Sequence, residues 1–404
     1  MTGKTGSAPQ GYDAFLLVSF GGPEGPDDVM PFLENVTRGR GIPRERLEAV
    51  AHHYLALGGV SPINGQNREL LAALQAELAR RAIDLPTYWG NRNWAPFLAP
   101  ALAQIRADGH QRVLAFTTSA YASYSSCRQY REDLAAALAE SGLGDELHVD
   151  VIRRYFDHPG FLRPIADGLA AALGRLTAEG HTTSRIRVLF TTHSIPTAMA
   201  AASGPPGQFV PEGAYVEQHR AAIDAVLRDV EDRGVSAPAS ALVYQSRSGS
   251  PHVPWLEPDI NDALRDAKTA GADAIVVVPI GFVSDHVEVV WDLDHEARET
   301  CDELGLAMIR VPTPGTHPAF VAGIVDLIEE RLGRRPPEAL SALGPWPAVC
   351  AAGCCANPAG VRPAVAGGCR FICSMTCSTT RNTAIPGVTS CRRIRRISRR
   401  PPSS

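Results

Sequence analysis

The amino-acid sequence predicts an α/β fold built from two similar, doubly wound parallel sheets. First, the chain has 404 residues, which is long enough for two domains with sizeable cores. Second, eight short apolar runs rich in β-branched residues recur along it. Third, longer amphipathic stretches fall between most of these runs. Strands that alternate with helices are typical of parallel sheets covered by helices on both faces.

Four of the eight predicted strands precede residue 158 and four follow it. They are 14–20, 86–90, 112–120 and 148–155 in the first group, and 185–194, 241–246, 274–282 and 306–312 in the second. Clear helical stretches between them include 67–80 and 161–176. Strands one and five both run into a polar turn, a proline and a helix (SFGGP and TTHSIP), which is a weak internal repeat. We therefore expect two Rossmann-like halves, 12–157 and 158–334, that face a cleft at the carboxyl ends of their strands.

The two ends of the chain differ in composition from the predicted halves. Residues 1–11 are expected to form a flexible N-terminus, and 335–368 form a Pro- and Ala-rich extension that carries cysteines. Residues 369–404 contain eight Arg and no acidic residue, so we expect a basic, disordered tail. An altered reading frame at the 3′ end of the gene would explain the same change, and contact with anionic lipid is a further alternative.

Composition and charge exclude several broad classes of protein. Hydrophobic residues make up 45% of the chain and charged residues 20%, as in ordinary soluble globular proteins. A formal net charge of -4 gives no sign of a nucleic-acid partner, and no apolar segment is long enough for stable insertion into a membrane. The first apolar run is interpreted as a strand rather than a signal peptide. We therefore expect a cytoplasmic protein whose nine cysteines are reduced, catalytic or metal-bound rather than paired.

His193 lies at the end of the fifth predicted strand, in TTHSIP. A single histidine is more often a structural residue, but the carboxyl edge of a parallel sheet is where such folds bind ligands. An imidazole in this position can accept a proton or bind a metal ion. The residue alone leaves both interpretations open, and its position favours a functional role.

An acidic stretch, GFVSDHVEVVWDLDHE, follows the seventh predicted strand. Glu288, Asp292 and Glu296 are spaced by four residues, so on a helix they share one face and repel one another. A capping box of Asp285 and Glu288 is the structural alternative, but it leaves the other two carboxylates unexplained. Carboxylates aligned opposite the histidine would attract a divalent cation such as Fe²⁺ and carry protons outward.

The cysteines offer a second type of metal site. Cys350, Cys354 and Cys355 are clustered in CAAGCC, which is a poor pattern for tetrahedral zinc. A [2Fe-2S] cluster needs four thiolates, and Cys127 in YSSCRQY is the best candidate for the fourth. Thiol spacing alone leaves free thiols as an equal alternative. Cys301 is expected in the core. The cysteines left out of the set lie in the basic tail: Cys369, Cys373, Cys377 and Cys391.

Taken together, these motifs resemble the ferrochelatase family over residues 12–332. In the order of the family they are LLVSFGGPE, GGVSPINGQN, YWGNRNWAPF, TSAYASYSSCRQY, TTHSIP, YQSRSG, PWLEP and GFVSDHVEVVWDLD. The resemblance implies a chelatase-like fold in which two Rossmann-like halves enclose a porphyrin cleft. It also implies that the protein inserts Fe²⁺ into a porphyrin during haem synthesis.

The resemblance also assigns roles to individual residues. His193 and Glu288 fall on the metal site and proton-accepting pair of the family. Asp292 and Glu296 continue its acidic helix. Two further residues fall on porphyrin-contacting positions: Ser61 and Tyr130.

The substrate and the cofactor follow from one branch of the family. Clustered C-terminal cysteines plus an internal one resemble the actinobacterial, iron–sulfur-containing members, which favours a [2Fe-2S] cofactor. Those members generally metallate coproporphyrin III, so this porphyrin is the expected substrate and protoporphyrin IX the alternative. Phe20 stands where some coproporphyrin enzymes place a Tyr that ligates iron, so an axial phenolate is excluded there. A downstream haem-synthesis enzyme is a candidate partner. A non-catalytic tetrapyrrole or haem carrier and a cobalt or nickel chelatase are the rival functions.

Overall fold

The chain folds around two parallel sheets of four strands each, as the sequence predicts. The computed structural model describes residues 11–39, 41–248 and 252–365. The strands of the first sheet are β1 (Ala14–Ser19), β2 (Thr87–Asn91), β3 (Arg112–Thr117) and β4 (His148–Val151). Those of the second sheet are β5 (Ile186–His193), β6 (Ala239–Gln245), β7 (Ala274–Val278) and β8 (Ala307–Arg310). The orders are β2-β1-β3-β4 and β6-β5-β7-β8, so the second sheet repeats the topology of the first and confirms two similar halves.

Helices connect these strands and cover the sheets. In the first half they are α1 (Val29–Val36), α2 (Arg44–Ala56), α3 (Pro62–Arg80), α4 (Leu98–Ala107) and α5 (Gln129–Glu140). The later ones are α6 (Pro159–Ala178), α7 (Thr197–Ala201), α8 (Ala214–Asp232), α9 (Ile260–Thr269), α10 (Val287–Val289), α11 (Ala297–Leu304) and α12 (Pro318–Arg331). Helix α3 begins five residues before the predicted 67 because Pro62 occupies its first position, where a missing N–H costs nothing.

The central strands β1, β3, β5 and β7 are buried on both faces, which is why their sequences are largely apolar, whereas β2, β6 and β8 at the sheet edges are partly exposed. Along β1, Phe15 and Leu17 belong to one hydrophobic core, whereas Leu16 and Val18 belong to a second. Val188 of β5 belongs to the same core as Phe15. The two halves therefore share one large core.

Several strands end earlier than the apolar pattern predicts, most clearly β3, β7 and β4, which ends at Val151 rather than at residue 155. Strand β3 ends at Thr117 and β7 ends at Val278, whereas the apolar runs continue to residues 120 and 282. Pro279 has no N–H to contribute to a ladder, so the chain leaves the sheet there. The freed residues form loops at the carboxyl edges of the sheets, where ligands bind in doubly wound folds.

The described part of the C-terminal extension, 335–365, contains no helix or strand and packs on both halves. The backbone N–H of Leu340 donates to the carbonyl of Asp157 at 2.9 Å, and that of Val365 donates to the carbonyl of Arg131 at 3.0 Å. These contacts bring the cysteines of the extension close to the start of α5.

Two predictions concern residues outside the described ranges. The basic tail 369–404, with its four cysteines, lies there, and so does the expected flexible N-terminus except for residue 11. Among the helices of the described ranges, none is long and apolar enough to cross a membrane.

Candidate active site

His193 is the last residue of β5, and its side chain is 33% exposed. Its Nδ1 atom lies 2.5 Å from the carbonyl oxygen of Ser194. A carbonyl oxygen only accepts, so Nδ1 carries a proton and donates it. Nε2 is therefore the nitrogen that can gain or lose a proton. It faces Glu288, whose Oε2 lies 3.5 Å away.

Glu288 lies in the short helical turn α10, which continues into a π-helical segment, Val290–Glu296. Wide π turns are rare and occur frequently at functional sites. The capping-box alternative is wrong, because His286 is the N-cap residue of α10 and no side chain caps that turn. Asp285 instead accepts two hydrogen bonds from the guanidinium of Arg310, each 3.1 Å long. The carboxylate of Glu288 is therefore left for the imidazole.

The two members of this pair stabilise each other's charge. Burial disfavours the imidazolium, but the contact with Glu288 outweighs it and raises the pKa of His193. Burial likewise disfavours the carboxylate, and the contact with His193 outweighs it, so the pKa of Glu288 falls to about 2. An opposite charge at close range has this effect on both partners. The site therefore combines an ionised carboxylate with an imidazole that is a stronger base than usual.

Asp292 lies one turn further along and is partly buried. It accepts hydrogen bonds from Oγ of Ser246 and, at 3.2 Å, from Nε2 of Gln245. Burial raises the pKa of Asp292, and the negative charges of Glu288 and Glu296 raise it further. Together these effects outweigh the hydrogen bond from Ser246, which lowers the pKa, so its value is about 7. Asp292 can therefore exchange a proton near neutral pH. It lies in the row between the ionised carboxylate of Glu288 and the exposed carboxylate of Glu296.

Glu296 ends the acidic row in solvent. Its Oε1 accepts a hydrogen bond of 2.9 Å from Nε1 of Trp291. The indole is stacked on His53 of α2, with ring centroids 4.3 Å apart and an interplanar angle of 8°. Sequence reasoning gave these two rings no role, and Gln245 and Ser246, which lie within the motif YQSRSG, were assigned none either, because contacts between distant segments leave no periodic signal. The adjacent histidines at 52 and 53 were the one available hint.

Ser61 and Tyr130 are almost fully buried, at 4% and 5% exposure. Ser61 precedes α3, and its backbone N–H donates to the carbonyl of Pro23 at 2.8 Å. The ring of Tyr130 lies against the guanidinium of Arg92, 4.3 Å from the ring centroid, and Arg92 also pairs with Asp133 at 2.5 Å. Contact of these two residues with a porphyrin stays a prediction. A porphyrin could contact only the small part of each side chain that is exposed.

All four cysteines that the sequence singles out come together between α5 and the C-terminal extension. The sulfur of Cys127 lies 3.8 Å from that of Cys355, which lies 3.8 Å from that of Cys354. Cys350 is close enough to Cys354 for each thiol to shift the pKa of the other. Cys301 is buried in α11, as expected of a core residue.

The surroundings of these thiols favour thiolate at Cys127 and Cys354 and raise the pKa of Cys350 and Cys355, because the neighbouring thiols share hydrogen bonds and are buried. The backbone N–H of Gly204 donates to Sγ of Cys355 at 3.2 Å. Hydrogen bonds from neighbouring thiols lower the pKa of Cys354 to about 3 and that of Cys127 to about 7. Two buried arginines add their positive charge to this effect: Arg131 and Arg154. Among the described residues, no group of three or more His, Cys, Asp or Glu side chains is placed to hold a metal ion. The thiols as they lie here are therefore not a site for a single ion.

Comparison with known proteins gives matches over most of the chain. The family model described as Ferrochelatase matches residues 12–332. The coproporphyrin III ferrochelatase of Leifsonia xyli subsp. xyli is 54% identical over 374 residues, which are 89% of this chain and 95% of that protein. That of Streptomyces coelicolor is 54% identical over 364 residues, 88% of this chain and 96% of the relative. The ferrochelatase of Rhodopirellula baltica is 50% identical over 359 residues, which are 88% of this chain and 97% of that protein.

Proposed function

The chain belongs to the ferrochelatase family, the enzymes that insert iron into porphyrins, and we propose that its porphyrin substrate is coproporphyrin III. The product is then Fe-coproporphyrin III, an intermediate of haem b synthesis. Two relatives that carry the coproporphyrin name are each 54% identical to this chain and align over nearly their whole length, which supports this choice of substrate.

The observation that carries the proposal is the contact between His193 and Glu288. Both side chains are partly exposed, at 33% and 41%, so a bound substrate can reach them. An imidazole nitrogen and a carboxylate oxygen are suitable ligands for Fe²⁺. We assign the metal-delivering and proton-accepting roles to this pair.

The proton chemistry follows from the hydrogen bonds of the imidazole. A free-base porphyrin must lose both N–H protons before iron enters the ring. Nδ1 of His193 is committed to Ser194, so Nε2 is the acceptor and Glu288 stabilises the imidazolium. Asp292, with a pKa of about 7, can take the proton next, and Glu296 lies beyond it in solvent. The carboxylate row is then an exit for protons.

Anaerobic incubation with Fe²⁺ tests the substrate. Coproporphyrin III and protoporphyrin IX are supplied in separate reactions, and product spectra give kcat/KM for each. We expect coproporphyrin III to be preferred at least about tenfold, equivalent to ~1.4 kcal/mol of differential transition-state binding. A preference for protoporphyrin IX would overturn the proposed substrate. Metallation of neither ring would favour the haem carrier, and parallel reactions with Co²⁺ and Ni²⁺ test the other rival.

A non-catalytic carrier fits the site less well than an enzyme does. A carrier needs an apolar cleft, but it needs neither a proton acceptor nor a row of carboxylates. An iron porphyrin that keeps its carboxylates must also be passed on for decarboxylation, so a downstream haem-synthesis enzyme remains a proposed partner.

We further propose that four thiols hold a [2Fe-2S] cluster. The donor set is all thiol and numbers four, as such a cluster requires. The N–H of Gly204 and the two buried arginines would stabilise its negative charge. When bound, the cluster supplies one-electron redox chemistry, whereas these residues hold and shield it. The proposed ligands of the cluster are Cys127, Cys350, Cys354 and Cys355.

We also propose that the protein is located in the cytoplasm, because reduced thiols fit a reducing compartment.

A further inference from the structure

Tyr215, near the start of α8, contacts the backbone that carries the imidazole of the site. Its Oη lies 2.9 Å from the carbonyl oxygen of His193 and 2.8 Å from Oγ1 of Thr192. The carbonyl only accepts, so the phenol proton is donated to it, and Thr192 must donate the second bond. Tyr215 is 3% exposed, so water competes little for either bond.

These bonds orient the peptide on which the imidazole depends. Ser194 supplies the carbonyl that accepts from Nδ1 of His193. Ser194 is itself held through its N–H by the carbonyl of Gln245 and through its Oγ by that of Leu256, both at 2.8 Å. A rotation of the peptide between 193 and 194 would therefore carry the ring with it. Tyr215 resists that rotation without touching the ring.

The other end of Tyr215 is tied to the thiols. Its backbone N–H donates to Oγ of Ser203 at 2.7 Å, and the N–H of Ala214 donates to the carbonyl of Ser203 at 3.1 Å. The next residue, Gly204, makes two bonds with Cys355: its N–H donates to Sγ at 3.2 Å, and its carbonyl accepts from the N–H of Cys355 at 3.1 Å. Hydrogen bonds, together with the covalent link from Gly204 to Ser203 and the Tyr215 residue itself, thus connect the thiols to the site.

The backbone between these contacts has little room to absorb a displacement. A Cβ on Gly213 would lie 1.8 Å from the carbonyl oxygen of Ala200, and Ser203 donates to the same oxygen at 2.5 Å. Tightly packed segments transmit strain because their side chains have no alternative positions. A shift at Cys355 therefore reaches Tyr215.

We propose that Tyr215 is a positioning residue that couples the state of the thiol cluster to the orientation of His193. The inference rests on the proposed function, in which the imidazole accepts protons from the porphyrin. Through this coupling the cluster would affect turnover without touching the substrate and without transferring electrons. The coupling is carried by a hydrogen-bonded element that both sites share.

The variant Tyr215→Phe removes the hydroxyl and keeps the ring, which packs against Tyr121 and His219. We expect kcat to fall about tenfold, because a misplaced catalytic group is costly, while KM for the porphyrin stays within about twofold. Tyr244→Phe is the matched control, since this buried phenol makes no described hydrogen bond. A wild-type kcat in Tyr215→Phe, or equal losses in both variants, would overturn the positioning role.

Hydrogen exchange tests the coupling without substrate. In Cys355→Ala we expect the amides of 192–195 to exchange about tenfold faster than in the wild type, and we expect no further increase when Tyr215→Phe is added. Ser203→Ala breaks the same connection without removing a thiol and should give the same result, so it replaces Cys355→Ala if that variant does not fold. Cys301→Ala is the control. Wild-type exchange at 192–195 in Cys355→Ala or in its replacement would overturn the coupling, even if the wild type proves to metallate another porphyrin.

Discussion

Nε2 of His193 lies 3.5 Å from Oε2 of Glu288, between the end of β5 and the turn that follows β7. The two strands are direct neighbours, with Phe190 paired to Val278 near their carboxyl ends. The pair is therefore set by the register of one parallel ladder in the second half. A slip of one residue would turn every side chain of a strand to the other face.

Glu288→Gln should lower the pKa of His193. Burial lowers that pKa, and the contact with Glu288 is the largest opposing cause. Without the carboxylate, burial dominates, so we expect a value below the ordinary ~6.5 of a histidine. NMR titration of ¹⁵N-labelled histidine measures it. Glu296→Gln, at the exposed end of the row, is the matched control and should change the value little. An unchanged pKa in Glu288→Gln would contradict the electrostatic account of the pair.

Asp292 should make the protein less stable as the pH rises towards neutrality. Its pKa is about 7 in the folded state, against ~3.9 for an unfolded chain, so the folded protein binds this proton more tightly. The resulting stabilisation is complete below about pH 4 and is lost as the pH rises through about 7. Asp292→Asn keeps an oxygen acceptor for Ser246 and does not ionise.

We therefore expect the Asp292→Asn variant to be more stable than the wild type near pH 8, by up to about 4 kcal/mol, and equally stable near pH 4. Urea unfolding at both pH values measures the free energy of unfolding. A difference that does not change with pH would show that Asp292 ionises normally.

Arg310 should be required to hold the acidic segment in place. It is 15% exposed and bridges Asp294, at 2.7 Å, and Asp285. Arg310→Ala leaves two partly buried carboxylates without their cation, so we expect a loss of about 2 kcal/mol of stability and a lower kcat. Arg265→Ala is the control, because in the described part of the chain this exposed residue pairs with Asp262 of its own helix, so its loss should cost less than about 0.5 kcal/mol. Equal losses in the two variants would contradict this role.

Cys354→Ser should bleach the visible absorption of an iron–sulfur cluster and lower the iron content of the purified protein. The physical reason is that a hydroxyl replaces one of the four thiolates that such a cluster needs. Absorption spectra and iron analysis after anaerobic purification measure both. Cys301→Ser, in the core of α11, should leave the spectrum unchanged. A colourless, iron-free wild type would contradict the proposed cofactor.

The central strands of each sheet could be predicted from the sequence because they are buried on both faces. Such a strand is apolar throughout, so AFLLVS and AIVVV stand out without any knowledge of their partners. Their carboxyl ends could not be predicted, since the residues that follow β3 and β7 are partly apolar as well. What ends those strands is the path of the loops at the site, which is a tertiary property.

The candidate site could be predicted only in part. The spacing of the acidic residues indicates one helical face, but nothing local predicts that the segment becomes π-helical at Val290. The partners of the carboxylates lie far away in the chain: Ser246 for Asp292 and Arg310 for Asp285. The link from Cys355 to the site through Tyr215 is equally invisible to periodicity. Such contacts depend on packing between elements, for which a single sequence carries no signal.

The central claim is that the imidazole of His193 accepts the porphyrin protons, and single-turnover metallation by His193→Ala tests it most directly. The variant is loaded with coproporphyrin III, mixed anaerobically with Fe²⁺, and followed by the change in porphyrin absorption, with His181→Ala, which precedes the opposite end of β5 and pairs with Asp273, as the control. The account predicts an insertion rate lower by at least about 10³-fold, with the porphyrin Kd within about threefold of the wild type. Insertion by His193→Ala at the wild-type rate would contradict it.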